Sequence, residues 1–181
     1  MGETMAYSRF IRWVFVVAGA MFISTAAYAA STVGLQDGFL DKLQGRWDAV
    51  GTLNGHPTKE KFKADWVLHY RYLRFRLVSE EENATGFEEF ETISDFAYDP
   101  ATSQYVLLWK DNGGATSVEG AAAAAARVGN SLAFVFKTPQ GVVHRTFAYD
   151  PAKNTWAITI DIEKDGGLQP VVHVTLKASK R

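Results

Sequence analysis

The 181-residue chain contains no cysteine, and this absence excludes several kinds of chemistry. Disulfide bonds, thiol catalysis and cysteine-based metal or cluster sites all require that residue. A lipid anchor attached to an N-terminal cysteine is excluded for the same reason. The absence does not argue against export, because a chain of this length can be stable on its hydrophobic core alone.

The chain also lacks an excess of charge of either sign. It has 19 lysines and arginines against 20 aspartates and glutamates, a formal net charge of −1. Its densest basic group, formed by Arg71, Arg74 and Arg76, is followed at once by the acidic run 80–82. Nucleic acids and anionic membrane surfaces require concentrated positive charge. The sequence therefore predicts neither of them as the main partner.

Long hydrophobic runs are missing as well, apart from one of 11 residues at positions 13–23. Arg9 and Arg12 precede this run, and Ala27-Tyr28-Ala29 follows it. A basic start, a short apolar run and small residues at the cleavage position are the features of a signal peptide. We therefore predict cleavage after Ala29. A retained membrane anchor is the alternative, although a span needs about 20 apolar residues.

This interpretation fixes the domain organisation and the compartment. We expect residues 1–29 to form a signal peptide and residues 30–181 to form one domain in the periplasm or outside the cell. Loss of Glu3, Arg9 and Arg12 leaves the mature domain with a net charge of −2. No later segment is apolar enough to span a membrane, so no stable span is expected after signal removal.

Residues 35–43 show apolar residues at helical spacing before Gly45, which predicts a short N-terminal helix. From Arg46 onward, apolar and polar residues alternate in short runs separated by turn residues, the pattern of a sandwich or barrel. The predicted strands cover 46–53, 61–70, 73–78, 87–98, 105–109, 116–127, 131–138, 142–149, 155–163 and 170–177.

One six-residue segment occurs twice. Phe96-Ala97-Tyr98-Asp99-Pro100-Ala101 recurs as Phe147-Ala148-Tyr149-Asp150-Pro151-Ala152, each time between two alternating runs. Asp-Pro favours a tight turn, because proline fixes φ and the aspartate side chain accepts backbone N–H bonds. The repeat therefore predicts two hairpins in an antiparallel meander.

The alanine run at 121–126 is ambiguous on its own. Alanine prefers helix, yet Gly120 and Gly129 bracket a run too short to form a stable helix alone. We expect a strand whose small side chains leave room for a bulky group opposite, with a local helical turn as the alternative.

Two stretches resemble known families. Leu43-Gln44-Gly45-Arg46-Trp47, with Gly51 beyond it, is similar to the Gly-x-Trp mark of lipocalins and other calycins. The stretch from Tyr98-Asp99-Pro100 through Tyr105 to Trp109, followed by Lys110-Asp111, resembles the DUF1579 family of bacterial proteins of unknown function. The chain departs from that family's pattern at Ala97, where glycine is usual, and at Lys110.

The resemblance implies an all-β fold, an antiparallel up-and-down calycin-like barrel of about eight to ten strands with a short N-terminal helix. In such barrels Gly45 would allow a close turn and Trp47 would close one end. A basic side chain from the last strand usually lies across that tryptophan, a cation–π contact for which Lys177, Lys180 and Arg181 are the candidates.

A barrel of this size has room for one small ligand, so we expect the lumen to bind a small hydrophobic or amphipathic molecule. The predicted binding residues are Trp66, Tyr70, Tyr72, Arg74, Arg76 and Trp109, with the arginines gripping a polar group. The alternative is a solvated face on which Arg74 and Arg76 pair with Glu88, Glu89 or Glu91.

Two other functions stay open. In nitrobindin-like barrels, another calycin branch, a histidine late in the chain binds haem iron, and His173 is the position that matches. A protein-interaction or inhibitor module, with no small ligand, is the other. No serine has a nucleophile frame and the histidines are scattered, so the sequence predicts neither an enzyme nor a metal site.

Overall fold

The computed structural model describes residues 37–79, 91–116 and 121–179. In these residues, inward apolar side chains alternate with outward polar ones and produce eleven antiparallel strands. The strands are β1 (Gly45–Leu53), β2 (His56–Val67), β3 (Tyr72–Ser79), β4 (Glu91–Asp99), β5 (Gln104–Asp111), β6 (Ala121–Ala125), β7 (Arg127–Val128), β8 (Ser131–Thr138), β9 (Gly141–Asp150), β10 (Thr155–Lys164) and β11 (Gly167–Ala178).

The strands form one up-and-down sheet that curls into a nearly closed barrel. Its order is β6-β5-β4-β3-β2-β1-β11-β10-β9-β8-β7, so the first and last long strands pair with each other. β6 pairs with β5 and β7 pairs with β8, and only Ala126 separates β6 from β7. This single stretch therefore links both edges of the sheet, and the predicted barrel is confirmed.

The alanine run forms β6 and not a helical turn. Ala121, Ala123 and Ala125 alternate with the exposed Ala122 and Ala124. The rings of Trp109 on β5 and Phe136 on β8, the strands on either side of β6, lie 5.5 Å apart edge to face. Small side chains between these two strands leave the space that the large rings fill.

The predicted N-terminal helix is reduced to a single 3-10 turn at Leu40–Leu43. Leu35 lies outside the described residues. The Asp37 carboxylate accepts the backbone N–H groups of Phe39 and Leu40, both at 3.0 Å, and so sets where the turn begins. Leu40 and Leu43 are buried. We call residues 37–43 the plug segment, because its contacts close one end of the barrel.

Both copies of the six-residue repeat form hairpin turns as predicted, between β4 and β5 and between β9 and β10. Asp99 accepts the N–H of Ala101 at 2.9 Å, and Asp150 accepts that of Ala152 at 3.0 Å. The pKa of Asp99 is lowered, chiefly by the hydroxyl of Thr102. The two aspartates therefore stabilise their turns through the same hydrogen bond.

The strand predicted at 61–70 begins and ends earlier in the structure, where β2 covers His56–Val67. β2 ends at Val67, and Leu68, His69 and Tyr70 form a turn with φ values of 49°, 53° and 62°. Three consecutive left-handed residues cannot continue an extended strand. Tyr70 is consequently exposed in a loop.

Gly51 lies opposite Val174 where β1 packs closely against β11. A Cβ atom there would collide with the backbone oxygen of His173, so only glycine fits.

The predicted signal peptide, residues 1–29, lies outside the described residues, as do Lys180 and Arg181.

Candidate functional site

The plug segment is held at one end of the barrel by aromatic side chains. The indole N–H groups of Trp47 and Trp156 donate to the carbonyls of Leu43 and Lys42, at 2.8 and 3.1 Å. The Tyr105 hydroxyl donates to Asp37 at 3.0 Å. We call this the plug end; its polar aromatic atoms are satisfied by the chain itself.

Burial raises the pKa of Tyr105 to about 12, and the neighbouring Asp37 carboxylate adds to the shift. Both causes disfavour a phenolate at this position. The Tyr105 hydroxyl therefore remains a hydrogen-bond donor well into the alkaline range.

The middle of the barrel is filled by phenylalanine rings. Phe75, Phe96, Phe134 and Phe147 are fully buried and contact one another edge to face, with Phe96 and Phe147 only 4.9 Å apart between centroids. Phe96 and Phe147 occupy equivalent positions in the two repeats. This aromatic layer separates the plug end from the opposite end.

The opposite end has a polar interior, and we call it the polar end. Its buried polar side chains come from β2, β4, β9 and the segment after β5, and they are Thr58, Glu60, Thr92, Ser94, Thr116 and Arg145. Arg145 is the most unusual of them, since it is 2% exposed and sits between Val143 and Phe147 on the inner face of β9. Arginine is almost never buried without partners.

Arg145 is held mainly by aromatic rings. Its guanidinium lies 5.0 to 5.6 Å from the ring centroids of Phe75, Trp109 and Phe147. Nη1 donates to the Ser94 hydroxyl at 2.9 Å, while Nε is buried without a hydrogen-bond partner. Burial lowers the pKa of Arg145 to about 9, and the nearby Asp111 opposes part of that shift.

Asp111 stands beside this arginine at the end of β5. Its Oδ1 accepts the N–H of Ala115 at 3.0 Å, while Oδ2 is buried without a hydrogen-bond partner. Across the ladder it faces Thr92, whose hydroxyl accepts from the Trp109 indole at 2.9 Å. Thus Arg145 Nε and Asp111 Oδ2 are a buried donor and a buried acceptor at the polar end without hydrogen-bond partners.

Half-buried apolar side chains line the rest of the polar end. Ile160, Ile162 and Val172 continue the inner faces of β10 and β11, and Ala121 pairs with Trp109. Glu60 also belongs to this end, where its Oε1 accepts from the Thr58 hydroxyl at 2.8 Å. The arrangement combines a polar interior with a partly accessible apolar wall, which is the usual lining of a ligand pocket.

A family model described as "Protein of unknown function (DUF1579)" matches residues 36–167. The chain belongs to this family. No curated protein matches its sequence. The DUF1579-like stretch from Tyr98 to Trp109 spans the barrel, because Tyr98 packs on Tyr105 near the plug segment and Trp109 contacts Arg145 at the polar end.

The structure places the DUF1579 chain's predicted binding residues in three different locations. Trp109 lies inside the polar end. Trp66 donates to Asp41 at 2.8 Å and so belongs to the plug end. Tyr70 and Tyr72 lie in or beside the turn between β2 and β3, exposed and half-buried respectively.

Arg74 and Arg76 lie on the outer face of β3. Arg74 forms two parallel bonds to Asp95, at 2.8 and 3.0 Å, and Arg76 pairs with Glu91. A role for Arg74 and Arg76 in ligand binding stays a prediction. That role called for an arginine facing the lumen, and the arginine in such a position is Arg145. Arg145 was not predicted from the sequence. The pattern that could have indicated it is a charged residue at the same period-two positions as the apolar Val143 and Phe147.

His173 lies on the outer face of β11, where its Nε2 is 2.8 Å from Asp161 Oδ1. Lys177, a candidate for the contact with Trp47, is exposed on the same strand. Among the residues described, no cluster of three or more histidines and acids is arranged to hold a metal ion. The same residues include no helix of the length and apolarity needed to cross a membrane.

A solvent-open groove of about 1310 Å³ lies near the plug end. Its lining includes Lys42, Arg46, Lys61, Lys63 and Arg76 together with Asp48 and Asp65. Arg145 and Asp111 do not line it, so this groove and the polar end are different sites.

Proposed function

We propose that the polar end of the barrel binds one small amphipathic molecule, with its polar head near Arg145 and its apolar part against the half-buried apolar side chains of β10 and β11. Export predicted from residues 1–29 would make this a binding or carrier protein of the periplasm or the exterior. The observation that carries the proposal is a fully buried arginine with an unsatisfied Nε, opposite the half-buried Ile160 in the ladder between β9 and β10.

The difference between the two ends supports this choice of site. At the plug end the chain fills the interior, and a ligand would have to displace residues 37–43. At the polar end, Ile160, Ile162 and Val172 retain accessible apolar surface. Covering such surface is favourable by about 25 cal/mol per Å².

The first test is to purify the protein from its own host and analyse it by native mass spectrometry and solvent extraction. A co-purifying small molecule is the expected result. Binding is then measured with decanol and a brominated decanol, whose bromine quenches nearby tryptophan fluorescence. Trp109 should be quenched, and a Trp109→Phe variant should lose that part of the signal.

A pair of alanines supplies matched variants for the site. Ala121→Phe places a ring on the inner face beside Trp109, whereas Ala122→Phe places the same ring on the exposed face of β6. Ala121→Phe should weaken decanol binding about tenfold or more by filling the space, and Ala122→Phe should not. Ala121→Val gives a milder block if the larger ring prevents folding.

Two outcomes would overturn the proposal. One is a protein that carries no small molecule and binds no decanol. The other is equal weakening by Ala121→Phe and Ala122→Phe in folded protein, because the ligand would then not occupy the polar end.

A further inference from the structure

The unsatisfied atoms at the polar end constrain the chemistry of the head group that a bound amphipathic ligand could have. Arg145 Nε is a donor and Asp111 Oδ2 is an acceptor, and both are buried. Leaving such a group unpaired costs about 1–3 kcal/mol, more when it is charged. A head group that pairs with both atoms would recover that cost on binding.

The two atoms belong to neighbouring positions of the barrel wall. Asp111 lies opposite Thr92 in the ladder between β4 and β5, and Ser94, which holds Arg145, lies opposite Trp109. Asp111 is also two residues beyond Trp109, so both project to the same face. Arg145 and Asp111 therefore face one region of the interior without forming an ion pair with each other.

Their charges constrain the head group. The guanidinium and the carboxylate balance each other, so an added charge in this low-dielectric interior would be left without a counter-ion. Glu60 is a further acid among the described residues of this end; its carboxylate accepts from the Thr58 hydroxyl and has another interaction partner, so it is not counted in the balance between Arg145 and Asp111. Neutral groups that both accept and donate hydrogen bonds, such as a primary amide, satisfy Nε and Oδ2 together.

Building on the proposed function, we infer that the ligand has an uncharged head group with both an acceptor and a donor, the acceptor bonded to Arg145 Nε and the donor to Asp111 Oδ2. Carboxamides are the simplest members of this class. The apolar chain attached to the head lies against Ile160, Ile162 and Val172.

The test compares three probes of equal chain length at neutral pH by titration calorimetry: decanamide, decanoate and decylammonium. Wild-type protein should bind decanamide about tenfold or more tightly than either ion, because each ion leaves one interior charge uncompensated. Equal affinity for all three would mean that water satisfies both atoms, and the inference would be overturned.

Two variants should reverse the preference in opposite directions. Asp111→Asn leaves Arg145 as the excess charge and should favour decanoate, whereas Arg145→Met leaves Asp111 and should favour decylammonium. Lys110→Met, which removes a positive charge from the exposed outer face of β5 between Trp109 and Asp111, is the control and should retain the wild-type order.

The possible failures are distinguishable. If wild-type protein binds none of the three probes, the proposed function itself fails. If it binds them but the two variants shift the preference in the same direction or not at all, only the assignment of the head group fails. A wild-type preference for decylammonium would show that the interior of the polar end carries net negative charge. That result would also overturn the assignment of an uncharged head group.

Discussion

At the plug end, Trp47, Trp156 and Tyr105 all direct their polar atoms to residues 37–43, whereas at the polar end Arg145 and Asp111 each retain a buried atom without a partner. The same barrel wall supplies both ends, and Tyr105 and Trp156, each four residues beyond a copy of the repeat, both bond the plug segment. The difference therefore comes from what fills the interior and not from the strands themselves.

This contrast separates stability from binding. Satisfied polar atoms and complete apolar burial at the plug end contribute to folding. Unsatisfied polar atoms at the polar end reduce stability, and natural structures retain few of them. Such atoms are consistent with a site whose missing partner comes from outside the chain.

The largest expected difference is in packing. Leu43→Ala removes a fully buried side chain of the plug segment and should lower the free energy of unfolding by about 3 kcal/mol. Ile162→Ala removes a half-buried side chain at the polar end and should cost about 1 kcal/mol. Urea denaturation of both variants measures the difference, and equal losses would contradict the contrast.

A second prediction compares two aspartates. Asp37→Ala removes the acceptor of three hydrogen bonds at the plug end and should cost about 2 kcal/mol of unfolding free energy. Tyr105→Phe removes only one of those bonds and should cost about 1 kcal/mol.

At the polar end, Asp111→Ala is made in the Arg145→Met background, so that no buried guanidinium loses its counter-charge. There it removes a bond from Ala115 and also an unsatisfied oxygen, so the loss should be smaller than about 1 kcal/mol. The same urea series measures it. A loss as large as that of Asp37→Ala would show that Asp111 is structural, and would weaken its assignment to a ligand.

Much of the barrel wall was predictable, because a sheet with one dry face imposes a period of two on the sequence. The repeat located two hairpin turns through the chemistry of Asp99-Pro100 and Asp150-Pro151. The strand in the alanine run followed from its bracketing glycines, although its role in linking β5 to β8 depends on long-range pairing.

The site was harder to predict, because the sequence does not show which face of a strand is inside. Arg74 and Arg76 alternate with Leu73 and Phe75, and the fold buries the apolar pair. On β9 the inner face contains Val143 and Phe147, and Arg145 shares it by register alone. The plug segment became a 3-10 turn because the Asp37 carboxylate and four aromatic donors bond it, and such tertiary bonds override helical spacing.

The comparison with opposite signs at the two ends is the response to alkaline pH. Tyr105 keeps its proton to a pKa of about 12 in the folded protein, against an ordinary value of 10.0. Its contribution to stability is therefore complete below pH 10 and is lost as the pH rises through 12. The stability of wild type relative to Tyr105→Phe should fall over this range.

Arg145 should behave in the opposite way. Its pKa falls from 12.5 to about 9 on folding, so the folded protein binds fewer protons than the unfolded chain between these values. The cost of burying the charged guanidinium is complete below pH 9 and is relieved as the pH rises, so stability relative to Arg145→Met should increase. Urea denaturation of the three proteins between pH 9 and 12 tests both signs. If both differences changed in the same direction, the two ends would not differ electrostatically, because a general alkaline effect on the fold would then account for both.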